Sequence, residues 1–311
     1  MKNEALPRSD ADANILAVGS VAFDTIEAPG GRVDEGLGGS ATYFALAASL
    51  FAPVAVVAVV GEDFTDEAFQ IFFDRGVDCA GLERRAGRTF RWCGRYEDDV
   101  NVAITEKTEL GVFGEFRPIV PESCRDHPYV ALGNIDPLLQ LAVLKQVNNP
   151  RFVAVDTMNY WIDRQRDDVA EVIARADILV VNDAEAKMLG GGANLISAMT
   201  RLLELGPRYV LAKKGEHGAV LMARDFEFIL PAFPVRAVAD PTGAGDSFAG
   251  GFMGYVAASD DTSPANLCRA VAYGATVASF AVEGLGISRL VQLSRGEVEE
   301  RLKRLGDMTR F

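Results

Sequence analysis

The chain has 311 residues, 49% of them hydrophobic, which is typical of a globular protein with two average domains or one large α/β domain. Its formal net charge of −13 argues against binding to nucleic acid or to an anionic membrane. No apolar run is long enough to span a membrane, and residues 1–14 lack the apolar core of a secretory signal. The cysteines are scattered without metal-ligand spacing, which favours reduced thiols, so we expect a cytoplasmic protein with a flexible N-terminal extension.

The N-terminal part of the chain predicts a mixture of strands, helices and hairpins. The helix near residue 70 should place Phe69, Phe72 and Phe73 on one face. The first hairpin is suggested by β-branched residues around Pro29-Gly30-Gly31, whereas the second alternates polar and apolar residues and would turn at Glu97-Asp98-Asp99. In chain order the expected elements are a strand at 15–19, a hairpin at 20–36, a helix at 38–49, a strand at 54–60, a helix at 62–75 and a hairpin at 88–106.

From about residue 128 the pattern alternates strand and helix, which predicts a mostly parallel sheet covered by helices on both faces. Ligands of such sheets bind at the carboxyl ends of the strands. Strands are expected at 129–132, 152–155, 178–181, 209–212, 220–222 and 228–230, the last extending towards residue 238. Helices are expected at 138–146, 167–175, 183–189, 195–204, 246–258, 263–282 and 294–304.

The segment Asp240-Pro-Thr-Gly-Ala-Gly-Asp246 carries the clearest chemical signal. Three residues with minimal side chains, Gly243, Ala244 and Gly245, stand where a helix should begin. The first N–H groups of a helix have no partners within it, so an anion such as a phosphate can approach them closely. The carboxylate of Asp246 follows at once and could take the proton of an attacking hydroxyl. In isolation, the same residues would also suit an ordinary loop with Asp246 in a first helical turn.

Extended to Phe248, this segment resembles the C-terminal signature of the ribokinase-like (PfkB) carbohydrate kinases, and the resemblance covers most of the chain. It implies an α/β fold with a doubly wound, mostly parallel sheet flanked by helices. The hairpins at 20–36 and 88–106 would form a small β-sheet lid, within a single domain over residues 1–311. The resemblance also implies an ATP- and Mg²⁺-dependent kinase, in which Asp246 is the base and the Gly243, Ala244 and Gly245 amides form the anion hole.

Two N-terminal features match the sugar-binding positions of that family. Gly38-Gly39 resembles the paired glycines that contact the sugar, although these residues could simply start a helix. The family often has Asn shortly afterwards, where this chain has Tyr43, so we expect a polyol, sugar acid or nucleoside rather than simple ribose. The resemblance implies that the Asp24 carboxylate accepts hydrogen bonds from substrate hydroxyls. The alternative is that Asp24 is an ordinary carboxylate in a surface loop.

Three further residues are candidates for the wall of the substrate site. Arg91 lies on the second hairpin with Trp92 and Tyr96, and would close over the substrate unless this group only stabilises the hairpin. Asn134 and Asp156 follow strands at the edge where ligands bind, and each would equally suit a strand-end cap.

The resemblance also marks residues for the nucleotide and its metal. Asn182-Asp-Ala-Glu185 matches the family's Asn-x-x-Glu motif, so Glu185 would hold Mg²⁺ through water, although Asn182 would equally suit a helix N-cap. Lys213, Gly215 and Gly218 lie in a loop that resembles the one bordering the phosphates.

Two more segments complete the implied cofactor site. The stretch 275–286, which contains Ser279, resembles the segment that lines the adenine pocket. Some family members bind a monovalent cation beside it, and K⁺ would then engage Asp240 and Thr242.

These features predict phosphoryl transfer from ATP to a hydroxyl of a sugar, polyol or nucleoside. The alternative is a catalytically silent sensor of sugar or nucleotide on the same fold. A dinucleotide-dependent oxidoreductase has no support, because neither GxGxxG after a strand nor GxxxxGK[ST] occurs. The expected partners are ATP and the small acceptor, with no nucleic acid and no membrane, and the lid could pair across a homodimer.

Overall fold

The structure is a computed structural model that describes residues 14–97 and 99–310. The predicted N-terminal extension before Asn14 and the turn residue Asp98 lie outside the described residues. Strands β1 to β13 occupy Ile15–Val18, Ala22–Ala28, Gly31–Gly38, Val54–Gly61, Asp78–Arg85, Phe90–Arg95, Ile104–Glu109, Tyr129–Leu132, Phe152–Asp156, Ile178–Asn182, Tyr209–Lys213, Ala219–Met222 and Glu227–Leu230. Helices α1 to α11 occupy Ser40–Ala48, Asp66–Asp74, Pro137–Leu144, Asn159–Arg164, Arg166–Ile173, Asp183–Gly190, Leu195–Glu204, Ala244–Ser259, Pro264–Ala281, Ser288–Gln292 and Arg295–Met308.

The main sheet has the strand order β13-β12-β11-β10-β9-β8-β1-β4-β5. Strands β11 to β5 in that order are parallel, and β12 and β13 are added antiparallel at one edge. From β1 the chain proceeds to β4 on one side and later to β8 on the other. The strand order therefore reverses between β1 and β8, and ligands of open α/β sheets bind at the carboxyl ends of the strands beside such a point.

Helices cover both faces of the sheet, because consecutive residues of each strand point to opposite sides. Ile15 and Ala17 of β1 pack in the core with α1, α8 and α9, whereas Leu16 and Val18 pack in the core with α3 and α5. Strand β4, which lies between β1 and the edge strand β5, is buried along its whole length, as expected for a parallel strand covered on both faces.

A second, smaller sheet has the strand order β3-β2-β6-β7 and forms the lid. Each predicted hairpin is an antiparallel pair, β2 with β3 and β6 with β7, and β2 and β6 join the pairs in parallel. The fold class predicted from the sequence is thereby confirmed. Pairing of the lid across a homodimer stays a prediction.

Several details of the predicted elements are wrong, and the short helices α4 and α10 were not predicted at all. The strand expected to run from 228 towards 238 ends at Leu230, because Pro231 and Pro234 interrupt it. Strand β5 was not predicted, since its polar sequence suits a sheet edge rather than a core. On α2, Phe72 is buried but Phe73 is 76% exposed, so the aromatic residues do not share one buried face.

Candidate active site

The loop that opens α8 places open backbone donors beside a carboxylate. Gly243 has a left-handed backbone with φ of +70°, a conformation that glycine adopts without strain. The Ala244 N–H donates to the Pro241 carbonyl at 3.1 Å, whereas the Gly243 and Gly245 N–H groups have no acceptor among the described residues. The open donors of the predicted anion hole are therefore those of the two glycines.

Tyr43 packs directly on this loop. It lies in α1, is 1% exposed, and a Cβ atom on Gly243 would overlap its ring. Its hydroxyl is buried and has no hydrogen-bond partner among the described residues. Burial, followed by the charges of Asp24 and Asp240, holds the pKa of Tyr43 well above its usual range. The phenol thus stays neutral beside the carboxylates of the site.

Asp246 lies in the first turn of α8, partly exposed at a small cavity lined by α1, α8 and the ends of β1, β8 and β9. Burial raises the pKa of its carboxyl to about 8; repulsion from Asp156 adds to this rise and attraction to Lys213 opposes it. A base works best when its pKa lies near the working pH, so this carboxyl is suited to accept a proton at neutral pH.

Lys213 supplies the positive charge of the site. It ends β11, and its Nζ lies 3.0 Å from Oδ2 of Asp156, which ends β9. A Cβ atom on Gly245 would lie 3.0 Å from the same Nζ, so the ammonium stands beside the anion-hole loop. Burial disfavours the charge, but attraction to Asp156 and Glu185 outweighs burial and raises the pKa of Lys213, which therefore stays protonated.

Asn182 and Glu185 form a reciprocal cap at the start of α6. Asn182 Oδ1 accepts the Glu185 N–H at 2.8 Å, and Glu185 Oε2 accepts the Asn182 N–H at 2.8 Å. Burial raises the pKa of Glu185 to about 7, and the charge of Asp156 adds to the rise. The N-cap expected as the alternative is thus present. It leaves Oε1 without a backbone donor among the described residues, and a role of Glu185 at Mg²⁺ stays a prediction.

The structure brings the predicted sugar-binding residues Asp24, Gly38 and Gly39 together where lid strands β2 and β3 adjoin the start of α1. Asp24 in β2 is 4% exposed, and its Oδ2 accepts the Gly39 N–H at 3.3 Å. A Cβ atom on Gly38 would overlap the same carboxylate, so a glycine is required at this position. Burial raises the pKa of Asp24 to about 7, opposed by the Gly39 hydrogen bond and increased by the charge of Asp240.

The other two predicted substrate contacts have protein partners of their own. Arg91 forms ion pairs at 2.7 Å with Glu35 and with Asp63. The Asn134 amide accepts the Trp161 indole N–H at 3.0 Å and lies 3.1 Å from the Met158 sulfur. Sequence reasoning missed these partners, which come from remote segments, and the roles of Arg91 and Asn134 in substrate binding stay predictions.

Asp240 ties the anion-hole loop to its surroundings. Its carboxylate is 1% exposed and accepts the N–H groups of Thr242 at 2.9 Å and of Gly286 at 2.8 Å. From the lid, the Tyr96 hydroxyl accepts a hydrogen bond from the Thr242 hydroxyl at 3.1 Å. The carboxylate oxygens would suit a monovalent cation, although each already accepts a backbone N–H.

The lid also meets the predicted phosphate loop. Gly215 has φ of +53°, and a Cβ atom there would overlap the Asn101 side chain of the lid. Gly218 has φ of +86° and packs on the Leu230 carbonyl. Both positions therefore require glycine for backbone conformation and for close approach.

Ser279, on α9, lies beside an arginine that the sequence did not single out. Its hydroxyl donates to the Thr276 carbonyl at 2.6 Å and accepts from Arg301 at 3.2 Å. The Arg301 guanidinium stacks on Phe280 with its Cζ 3.4 Å from the ring centroid. A role for Ser279 in binding adenine stays a prediction.

Comparison with known proteins identifies the family. A family model described as pfkB family carbohydrate kinase matches residues 12–292. The chain belongs to this family. It is therefore a kinase, a phosphotransferase that acts on a hydroxyl group. In the described residues, no helix combines the length and apolarity needed to cross a membrane.

Two relatives and one solved structure show where this pfkB kinase stands among known proteins. It is 32% identical to a cytidine kinase of Thermococcus kodakarensis, over 77% of this chain and 87% of the relative. It is 26% identical to an inositol 3-kinase of Arabidopsis thaliana, over 79% of this chain and 69% of the relative. An E. coli protein described as ribokinase II, crystallised with ATP and Mg²⁺, has the same fold, with a TM-score of 0.77, 20% identity and coverage of 94% and 99% of the two chains.

Proposed function

We propose that this kinase transfers the γ-phosphoryl group of ATP to a hydroxyl of a sugar, related polyol or nucleoside, with Asp246 as the base. One arrangement carries the proposal: a carboxyl with a pKa of about 8 stands in the same helical turn as open amides and close to Lys213. The names of the cytidine kinase and the inositol 3-kinase support an acceptor of this class.

Each part of the loop has a chemical role in this proposal. The acceptor oxygen bonds to the γ-phosphorus, the bond to the bridging oxygen breaks, and ADP leaves with that electron pair. Asp246 takes the proton of the acceptor hydroxyl. The N–H groups of Gly243 and Gly245 donate to oxygens of the transferring group, and Lys213 offsets its negative charge.

The remaining predicted residues position the two substrates. Asp24, with the Gly38 and Gly39 backbone, would hold acceptor hydroxyls. Glu185 fits a Mg²⁺ that keeps its waters, and Mg²⁺ supplies charge neutralisation on the phosphates. Gly215, Gly218, Thr242 and Ser279 would border the nucleotide, and a K⁺ ion near Asp240 stays a prediction.

The test is ADP release from Mg-ATP with a panel of sugars, polyols, sugar acids and nucleosides. Asp246→Asn should lose about 10²-fold or more in turnover while remaining folded, because a general base contributes about 10² to 10⁴ in rate. Asp167→Asn is the matched control, since Asp167 is an exposed carboxylate in the first turn of α5.

The outcomes separate the kinase from the silent sensor. ADP release that depends on one acceptor and is lost only in Asp246→Asn supports the proposal. Near-normal turnover of a folded Asp246→Asn protein would exclude Asp246 as the base. Binding of ATP and acceptor without transfer, measured by calorimetry, would favour the sensor.

A further inference from the structure

Lys213 and Asp156 form an ion pair beside the anion-hole loop. The Lys213 Nζ lies 3.0 Å from Oδ2 of Asp156, and the two side chains are 15% and 11% exposed. Within residues 14–97 and 99–310, no other carboxylate oxygen lies within 4.0 Å of this Nζ. The proposed reaction uses the ammonium group but gives Asp156 no part.

The pairing of the strands places these two side chains on the same face of the main sheet. Asp156 lies opposite Val180 of β10, and Lys213 lies opposite Asn182, two residues further along that strand. Residues two apart in a strand point to the same side. Val180 packs in the core with α1, α8 and α9, so both charged groups point towards the face where α8 begins with the anion-hole loop.

Asp156 is itself held from the opposite side of the sheet. Gln140 of α3 is 2% exposed, and its Nε2 donates to the Gly133 carbonyl at 2.8 Å and to the Asp156 carbonyl at 2.9 Å. Gly133 directly follows β8, and Asp156 ends β9. The buried amide therefore ties the two strand ends together, and the Asp156 carboxylate extends from a fixed backbone position.

Lys213 needs a fixed partner because several carboxylates compete for it. Asp156 of β9, Glu185 of α6 and Asp246 of α8 all face its ammonium group. A lysine has a flexible four-carbon stem, so the ammonium could move among them. Pairing with Asp246 would hold the base in its charged form and occupy the oxygen that must take the acceptor proton. Pairing with Asp156 avoids this and leaves Nζ 3.0 Å from where a Cβ atom on Gly245 would lie.

We propose that Asp156 is a positioning residue, which holds the Lys213 ammonium beside Gly245 and away from the base. The inference rests on the proposed kinase function and adds a residue to the site. The ammonium then meets oxygens of the transferring phosphoryl group and offsets their charge. In this role Asp156 touches neither substrate and acts only through Lys213.

Asp156→Asn removes the charge of the partner and keeps the shape of its side chain. Lys213 should then pair with Asp246. This approach and the loss of repulsion from Asp156 both lower the pKa of the base, while Asp24 and Glu185, which also face it, are unchanged. The low-pH limb of the kcat/KM profile should therefore move by about one pH unit or more to lower pH, opposite in sign to the shift expected for a variant without the lysine.

Turnover and acceptor binding should respond differently to the same change. With the ammonium displaced from the phosphoryl group, kcat should fall about tenfold to 100-fold, while the acceptor KM stays unchanged. Normal kcat and a normal pH profile in a folded Asp156→Asn protein would overturn the inference.

A double variant shows whether Asp156 acts through the lysine. Asp156→Asn should lower kcat in the wild-type background and cause no further loss in Lys213→Met. The double variant contains no unpaired ammonium, so it gives this answer even where Asp156→Asn alone does not fold. A further loss of kcat in the Lys213→Met background would overturn the inference, because Asp156 would then act independently of the lysine.

Asp177→Asn is the matched control for loss of an ion pair in the same sheet. Asp177 and Arg208 directly precede β10 and β11, at the strand ends remote from the site, and their side chains pair at 3.5 Å. Asp177 also accepts the Val153 N–H at 2.9 Å, so its loss has a comparable structural cost. Its kcat and pH profile should stay normal.

An NMR titration separates failure of this inference from failure of the kinase proposal. The Asp246 carboxyl carbon would be followed in nucleotide-free protein labelled with ¹³C at the aspartate carboxyl groups, and assigned by its absence in Asp246→Asn. Its pKa should be lower in Asp156→Asn than in wild type. A lower pKa in a protein that releases no ADP with any acceptor would support the positioning and count against the kinase proposal. An unchanged or higher pKa would overturn the inference and leave the kinase proposal intact.

Discussion

Alanine at Gly243 would test whether the anion-hole loop is held by backbone conformation and by Tyr43 together. The residue has φ of +70°, where a non-glycine residue costs about 1–2 kcal/mol. The added methyl would also overlap the Tyr43 ring, and overpacking of a buried contact costs about 1–3 kcal/mol. We therefore expect Gly243→Ala to lose about 2–5 kcal/mol of unfolding free energy.

Gly76→Ala is the matched control for backbone strain. Gly76 has φ of +65°, and a Cβ atom there would meet nothing within 4 Å. Urea unfolding should show a loss of only about 1–2 kcal/mol for this variant. The difference between the two variants measures the contact with Tyr43.

Turnover gives the functional readout of the same change. A shift of about 1 Å in the Gly243 and Gly245 amides should lower kcat about 100-fold, and Gly76→Ala should retain normal kcat. Equal losses of unfolding free energy in Gly243→Ala and Gly76→Ala would show that the Tyr43 ring can move away from the added methyl group without destabilising the fold. Normal kcat in Gly243→Ala would show that this loop does not position the reacting group.

Three further predictions concern the ionisable groups. Lys213→Met should shift the low-pH limb of the kcat/KM profile to higher pH, because Lys213 lowers the pKa of Asp246. Glu185→Gln should raise the Mg²⁺ concentration for half-maximal ADP release by about tenfold or more, as loss of an outer-sphere carboxylate does. Burial raises the pKa of Asp246 from 3.8 to about 8, so its contribution to stability is greatest below pH 4 and is lost as pH rises through 8. In urea unfolding at pH 8, Asp246→Asn should therefore gain at least the ~1.4 kcal/mol of one pKa unit.

Each of these predictions has a clear contrary result. A pH profile unchanged in Lys213→Met would mean that this lysine does not act on the base. Glu204→Gln, at the exposed end of α7, is the control for Glu185→Gln, and identical Mg²⁺ curves for the two variants would remove Glu185 from the metal site. Parallel stability curves for wild type and Asp246→Asn between pH 4 and 8 would show that ionisation of Asp246 costs nothing.

The sequence predicts the body of the fold well because its parallel strands are buried on both faces. Strand β4 has an unbroken apolar run, and this pattern predicts both that the segment is a strand and that it is buried. Strand β5 could not be predicted in this way. It lies at the edge of the sheet, where it pairs only with β4, and its sequence is largely polar. Beyond Leu230, apolar residues suggested a longer strand, but proline cannot donate to the ladder.

Candidate site residues could be predicted where they lie close together in the sequence. They could not be predicted where two side chains from distant segments form an ion pair. Asp246 and its glycines lie within one turn, so their sequence pattern carries the geometry. The partners of Lys213 and Arg91 come from segments whose adjacency only the strand order reveals. Sequence spacing alone could not show that Asp156 and Lys213 end strands on either side of β10.

The attachment of the lid to the catalytic loop makes the two move as one unit. The lid reaches the segment Ala239–Thr242 twice, through the Gly30 N–H at 2.8 Å from the Ala239 carbonyl and through the hydrogen bond between Tyr96 and Thr242. Any displacement of the lid would strain both hydrogen bonds. It would thereby disturb the backbone just before Gly243 and Gly245, so substitutions in the lid should affect the geometry of the loop even where they touch no ligand.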